Sequence, residues 1–224
     1  LYNNNVIVAD SETRVTNNSE QSWAITSLVP YTTGDVEIRW KAGLNTGNCG
    51  ARRLLLMLLS EFSKWVKYGQ RIDGEASGDR SGRSVSLSSD GTIVAIGAPK
   101  NDDNGSNSGH CRVYEYSGAS WSQLGSDIEG EASGDDSGIC VSLSDDGKIV
   151  AIGAQFNDGN GGSSGHCRVY EYNGVSWVQM GIDIDGESSQ DYLGASVSLS
   201  SDGKTIALGA YNNNYSYVYK YMEV

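Results

Sequence analysis

The sequence predicts an all-β protein built of tandem four-stranded antiparallel blades of the β-propeller type, preceded by a small β segment. Three observations carry that prediction. Trp65, Trp121 and Trp177 are spaced 56 residues apart, as are Asp90, Asp146 and Asp202, and Gly97, Gly153 and Gly209. Within each period a serine-rich alternation turns on Asp-Gly and enters an apolar run: "SLSSDGTIVAIGAP" at 86–99, "SLSDDGKIVAIGAQ" at 142–155 and "SLSSDGKTIALGAY" at 198–211. A segment dense in β-formers, "HCRVYEY", then recurs at 110–116 and 166–172. Self-similarity at such a period marks a unit that cannot bury its own apolar face and leans on its neighbours. Radial repetition of four-stranded sheets is one way to protect the edges that result.

Residues 1–62 carry none of the repeat's landmarks and read as a separate β-rich segment. "QSWAITSLVPY", "GDVEIRWKAG" and "ARRLLLMLLSEF" are strand candidates, the second alternating Val36, Ile38 and Trp40 against Glu37, Arg39 and Lys41. This pattern resembles the last strands of jelly-roll domains of the tumour necrosis factor or viral-fibre type. About sixty residues are too few for a complete eight-stranded roll, so the resemblance implies only its end.

Residues 63–224 hold three repeats, at about 65–120, 121–176 and 177–224. Ser84–Leu87 alternates apolar and serine side chains, as a strand with two different faces does. Asp90 and Gly91 form a hairpin turn, as do Asp146 with Gly147 and Asp202 with Gly203, because tight hairpins need the positive φ that Asp-Gly supplies. The near-continuous Ile93-Val94-Ala95-Ile96 suits a strand buried on both faces. After a polar loop come His110–Tyr116 and the tryptophan strand Trp121–Gly125, completing a meander. Trp65, Trp121 and Trp177 are expected to pack equivalently, and Val85, Leu87, Ile93, Val94, Ile96, Val141, Leu143, Ile149, Val150 and Ile152 are expected to form the core. The last copy is shortened: "GAYNNNYSYVYKY" brings Tyr217 to the place of Arg112 seven residues early.

The run "SGRSVSLSSDGTIVAIGAP…GHCRVYEY" is similar to the FG-GAP repeat of integrin α-subunit propellers. Ser81-Gly82 stands in the FG position and Gly97-Ala98-Pro99 matches GAP. Closer still are the degenerate FG-GAP-like repeats of large surface proteins in marine microbes and their viruses. The resemblance implies an extracellular, cell-surface or virion-surface module. It departs from the calcium-binding blades, whose hairpin carries several carboxylates; Ser88-Ser89-Asp90-Gly91-Thr92 offers one, and Ca²⁺ needs six or more oxygens. The hairpin is therefore read as structural.

Strand alternation puts the loop between strands two and three, and the link to the next blade, on one face. Nearly all the repeat's carboxylates lie there, and binding residues commonly ride on loops held by a rigid scaffold. Candidate ligand-binding residues are Asp102, Asp103 and Asn104, their counterparts Asn157, Asp158 and Asn160, and the link residues Asp79, Asp135 and Asp191. Turns are also rich in Asp, Asn, Gly and Ser for conformational reasons alone. These oxygens form no known cation signature, so the expectation is no cofactor and at most weak Ca²⁺ binding.

Composition bounds the partners. A net charge of −12 over 224 residues opposes binding to phosphate backbones, so no nucleic-acid partner is expected. The longest apolar run, Leu54–Leu59, is far short of the roughly 20 residues a membrane span needs, so no membrane insertion is expected. Cys49, Cys111, Cys140 and Cys167 show no zinc spacing. His110 and His166 are repeat equivalents and read as blade packing rather than catalysis. No nucleophile elbow, P-loop or HExxH occurs. The expected function is a non-enzymatic surface or adhesion module that binds protein or glycan. The alternative is an architectural subunit or fragment of a larger assembly, completed by other subunits. A catalytic site shared between blades ranks below both.

Overall fold

The structure is a computed structural model that describes residues 65–223. The β-rich reading of 1–62, its jelly-roll resemblance and Cys49 lie outside the described residues. Lys67–Val224 forms a compact unit of its own.

The unit is all-β, made of consecutive antiparallel meanders. In the first sheet β1 (Ser84–Leu87), β2 (Ile93–Ala98), β3 (His110–Tyr116) and β4 (Trp121–Gln123) follow one another in space, and β5 (Ile128–Glu129) pairs with the far end of β3. β4 and β5 are thus one fourth strand interrupted at 124–127. The second sheet repeats this with β6 (Cys140–Leu143), β7 (Ile149–Ala154), β8 (His166–Tyr172), β9 (Trp177–Gln179) and β10 (Ile184–Asp185). Sheet boundaries therefore fall near 84–129 and 140–185, so Trp121 helps close the first sheet while Trp65 precedes it. The third sheet has three strands among the described residues: β11 (Leu193–Leu199), β12 (Thr205–Ala210) and β13 (Tyr215–Lys220). A short 3-10 turn at Tyr211–Asn213 replaces the long loop of the other two.

The repeated hairpin is held by its own side chains. Asp90 Oδ1 accepts hydrogen bonds from Ser88 Oγ (2.7 Å) and Thr92 N (2.9 Å), Ser88 Oγ accepts from Ile93 N (2.9 Å), and Gly91 takes φ +72°. Asp146 and Asp202 repeat the arrangement. The serine face of the first strand joins neighbouring sheets: Leu143 N donates to Ser86 Oγ (2.9 Å) and Leu199 N to Ser142 Oγ (3.0 Å). The FG-GAP-like glycines explain themselves at the same joint. A Cβ on Gly97 would strike the Gly138 carbonyl, and one on Gly153 the Gly194 carbonyl, so the glycine that opens one GAP signature, or its counterpart, lies directly against the glycine at the next sheet's FG position.

The core forms between sheets. Ile93, Ala95, Cys111, Val113 and Ile128 pack with Val141, Leu143, Val150 and Ile152, and a second cluster joins Ala151, Cys167 and Leu193 to Ile206, Leu208 and Ala210. Burial pushes the Cys111 thiol up to about 12, which leaves it a small apolar side chain.

Two expectations are corrected. Val85 and Leu87 are 62 % and 58 % exposed, whereas Val141 and Leu143, one period on, are 6 % and 7 % exposed. β1 has no sheet before it to cover that face among the described residues, and Ile96 is half-buried for a related reason. Trp121 and Trp177 do pack alike, 5.2 Å from Tyr116 and Tyr172, with Nε1 donating to the carbonyls of Tyr68 (3.0 Å) and Leu124 (2.7 Å). Trp65 is fully exposed and does not share that environment.

Candidate functional site

The loop face is braced across consecutive sheets. From the link after β5, Gly130 N, Gly134 N, Asp136 N and Ser137 N donate to the carbonyls of Gly109, Ser106, Asn107 and Ser108 in the loop after β2. Lys100 Nζ adds an ion pair to Asp136 Oδ1 at 2.7 Å. The second sheet repeats the bracing, with Gly186, Gln190, Tyr192 and Leu193 donating to Gly165, Gly162, Ser163 and Ser164.

Most of the sequence-predicted site residues hold this face together. Asp102 Oδ1 accepts from Asn107 N and Asp158 Oδ1 from Ser163 N, both at 2.7 Å. Asn104 Nδ2 donates to Gly130 O (2.7 Å) and Asn160 Nδ2 to Gly186 O (3.0 Å). Asp79, Asp135 and Asp191 are buried, and each accepts the backbone N–H three residues before it. Asn157 is buried and donates to Glu131 and Asp135; its true equivalent is Asn101, which the sequence reading passed over. Asp103 takes a different part.

Asp103 joins a cluster in which Glu75, Asp103, His110 and Asp127 bring ligand-type atoms within 4.8 Å of one another; Glu131, His166 and Asp183 do the same one period on. The pieces come from the link before the sheet, the loop after β2, the start of β3 and the interruption of the fourth strand. His110 is 1 % exposed, and its Nδ1 lies 3.7 Å from Glu75 Oε2 and 3.7 Å from Asp127 Oδ2. His166 Nδ1 lies 3.8 Å from Glu131, 3.7 Å from Asp183 and 3.9 Å from Asp185. Neither Nδ1, nor Glu129 Oε2 beside the first cluster, has a hydrogen-bond partner among the described residues. Burial, reinforced by Arg168 and opposed by Asp183, pulls His166 down to about 4; burial likewise lowers His110. Burial first, then the charges of Asp127, Asp103 and Glu75, pushes Glu129 up to about 7. The clusters can hold a cation through neutral imidazole and carboxylates. The histidine and its acids are too far apart in sequence for a motif, and their one usable signal is that 75, 110 and 127 recur together at 131, 166 and 183.

An aromatic file also lies on this face and was not foreseen. Phe156 meets Tyr192 edge-on at 5.6 Å, and Tyr192 stacks on Tyr211 at 5.4 Å with an interplanar angle of 23°. Tyr211 is largely exposed.

The geometry of alternating strands, hairpin and glycine joint agrees with comparison against known families, in which residues 73–114 match the FG-GAP repeat. The chain carries an FG-GAP repeat. The matched FG-GAP segment runs from the first link through β1 and β2 into β3, and so takes in Glu75, Asp103 and His110. No curated protein matches the chain. Similar solved structures include Kuenenia stuttgartiensis hydrazine synthase (15 % identity, TM-score 0.37, 56 % of this chain and 28 % of that one). A mitotic checkpoint complex (12 %, 0.43, 62 % and 37 %) and a complex of KlAtg21 with the coiled-coil of AgAtg16 (15 %, 0.45, 62 % and 39 %) are also similar. The chain spans less than two-fifths of the length of each. Among the described residues no helix is long and apolar enough to cross a membrane.

Proposed function

We propose that this chain is a non-enzymatic binding module of the extracellular space, a cell surface or a virion surface, and that it takes a protein or glycan on its loop face. The observation that carries the reading is the exposed Tyr211 ring, stacked on the half-buried Tyr192 and set on a braced, carboxylate-rich face. An aromatic ring offers a flat apolar contact at low entropic cost, and flanking carboxylates accept hydrogen bonds from hydroxyl or amide donors. The net charge of −12 supports excluding nucleic acid and anionic lipid as partners. Binding of the chain to a glycan array and to cell-surface protein fractions tests this. Tyr211→Ser is expected to weaken the best ligand by about tenfold, as loss of an aromatic anchor does; undiminished binding would sink the reading.

A second reading, an architectural subunit of a larger assembly, is favoured by the end surfaces. Val85 and Leu87 expose a face that is buried one period later, a Cβ on Gly82 would meet nothing, and β13 has no fourth strand beside it among the described residues. Val85, Leu87 and Gly82 are the half of the joint that Val141, Leu143 and Gly138 supply inside the unit, and β13 is an open sheet edge. A sedimentation mass above that of one chain supports this second reading, and a monomer at all concentrations removes it.

A further inference from the structure

We propose that the FG-GAP-type repeats of this chain carry built divalent-metal sites: His110 with Glu75, Asp103 and Asp127, and His166 with Glu131 and Asp183, each taking a first-row transition cation such as zinc or manganese.

The first argument is the orphaned imidazole. His110 and His166 are both 1 % exposed; His110 points Nδ1 at two carboxylates and His166 at three, and neither Nδ1 has a hydrogen-bond partner among the described residues. A buried polar nitrogen normally has a partner. A metal takes the neutral imidazole through its free lone pair, and Nδ1 is the ring nitrogen left without a partner. The Nδ1 to oxygen separations of 3.7 Å lie a few tenths of an ångström beyond the ~3.3–3.5 Å expected between ligands around an ion with bonds of about 2.0–2.2 Å. Small side-chain shifts close that gap.

The second argument is the third sheet, which serves as an internal control. His110 lies opposite Ala98 and His166 opposite Ala154; Tyr215 occupies the same register position, opposite Ala210. There the Tyr215 hydroxyl bonds Asp191 directly, and Tyr217, at the register of Arg112, donates to Glu187 Oε1 at 2.7 Å. Glu187 is the equivalent of Glu75 and Glu131. Asp191 is the equivalent of Asp79 and Asp135, outside the clusters, so the phenols satisfy one cluster-type acid, Glu187, by protein alone; with imidazoles in place an atom between nitrogen and acids is called for.

The supporting groups fit a metal site. Asn101 Nδ2 reaches Glu75 Oε2 at 3.4 Å and Asp103 Oδ2 at 3.2 Å, and Arg112 Nη1 sits 3.5 Å from Glu75 Oε1. In the second sheet Asn157 and Arg168 take these positions on Glu131. Such partners orient ligating carboxylates. Glu75 and Glu131 are partly exposed, which provides entry. A nitrogen donor among carboxylates selects a transition ion over calcium, which takes oxygens. The sites are unequal: Gly159 stands where Asp103 would recur, so the second has one carboxylate fewer from the loop.

The test is calorimetric titration of the metal-free full chain with zinc chloride, manganese chloride and calcium chloride in turn, followed by thermal melting. Two sites for zinc or manganese are expected, the first tighter, with a rise in melting temperature because only the folded chain has the ligands assembled. His110→Gln should remove one site and His166→Gln the other. Asp103→Asn, on an exposed loop residue that leaves folding intact, should weaken only the first, by about tenfold or more. Gly159→Asp should tighten the second, since Asn157 Oδ1 already holds the Gly159 N–H as Asn101 Oδ1 holds that of Asp103. Absorption spectroscopy on the zinc form should show a nitrogen neighbour at about 2.0–2.1 Å. No zinc or manganese uptake at millimolar concentration, affinity unchanged by Asp103→Asn, or uptake of calcium alone would each overturn the proposal, and the first would assign the space to water.

Discussion

β1 and β6 are nearly the same strand, "SVSL" and "CVSL", yet one turns its Val and Leu to solvent and the other buries them. Their hairpins, registers and partner strands match; only the sheet in front differs. Burial in this chain is therefore a property of the joint between sheets and not of the strand, as expected of a repeat array whose stability sums unit and nearest-neighbour contributions.

The largest effect that could break this comparison is a charge placed on each strand. Leu143→Asp should cost more than about 4 kcal/mol and unfold the unit, because an unpaired carboxylate in a core is among the most costly substitutions. Leu87→Asp should stay within about 0.5 kcal/mol, as at other exposed sites. Urea midpoints measure both; equal losses would show that β1 is covered in solution.

A gentler pair sharpens the point at the glycine joint. Gly82 and Gly138 both have φ +84°, but a Cβ on Gly82 meets nothing, whereas one on Gly138 meets the His110 carbonyl and the backbone of Gly97 and Ala98. Gly82→Ala should cost about 1 kcal/mol from backbone strain alone, and Gly138→Ala about 3 kcal/mol once overpacking is added. If denaturation shows the same cost for both, the joint is looser than the geometry implies.

The smallest expected effect concerns what the two ends share. The Thr92 N–H, then the Ser88 and Thr92 hydroxyls, hold Asp90 below the ordinary aspartate range; the Ser200 hydroxyl, then the Lys204 N–H, do so for Asp202. A folded pKa below the unfolded one gives stability that is present above the unfolded value, about 4, and is lost as pH falls through the folded value. Melting temperatures taken between about pH 5 and pH 2 should therefore decline, and Asp90→Asn and Asp202→Asn should flatten that decline alike. A response at one end alone would mean the hairpins are not independent of the joints.

The architecture within a sheet was legible in the sequence because its causes are local. Ser84–Leu87 alternates, Asp90-Gly91 turns, and Ile93–Ala98 runs apolar with β-formers following; each feature is set by residues a few places apart. The exposure of Val85 and Leu87 was not legible, since it depends on what stands in front of β1 in space. The histidine clusters escaped for a similar reason. Glu75, Asp103, His110 and Asp127 converge only after the chain has run through β1, β2, β3 and β4, and a histidine that recurs one period on reads as packing until its ring nitrogen is seen without a partner. The turn-holding roles of Asp102 and Asp158 follow from local Asp chemistry, and there composition and structure point the same way.

The reach of Trp121 and Trp177 gives the array a grain. Each indole fastens the outer strand of its own sheet to the carbonyl of Tyr68 or Leu124, the corresponding place one unit earlier. Successive sheets thus overlap in one direction, like roof tiles, and every fastening points back toward the start of the chain. The third sheet receives the overlap of no later tryptophan among the described residues, so it is the loose course at the eave. What holds that sheet to its neighbour is the serine joint from Leu199 N to Ser142 Oγ and the core cluster of Ala151, Cys167 and Leu193 with Ile206, Leu208 and Ala210.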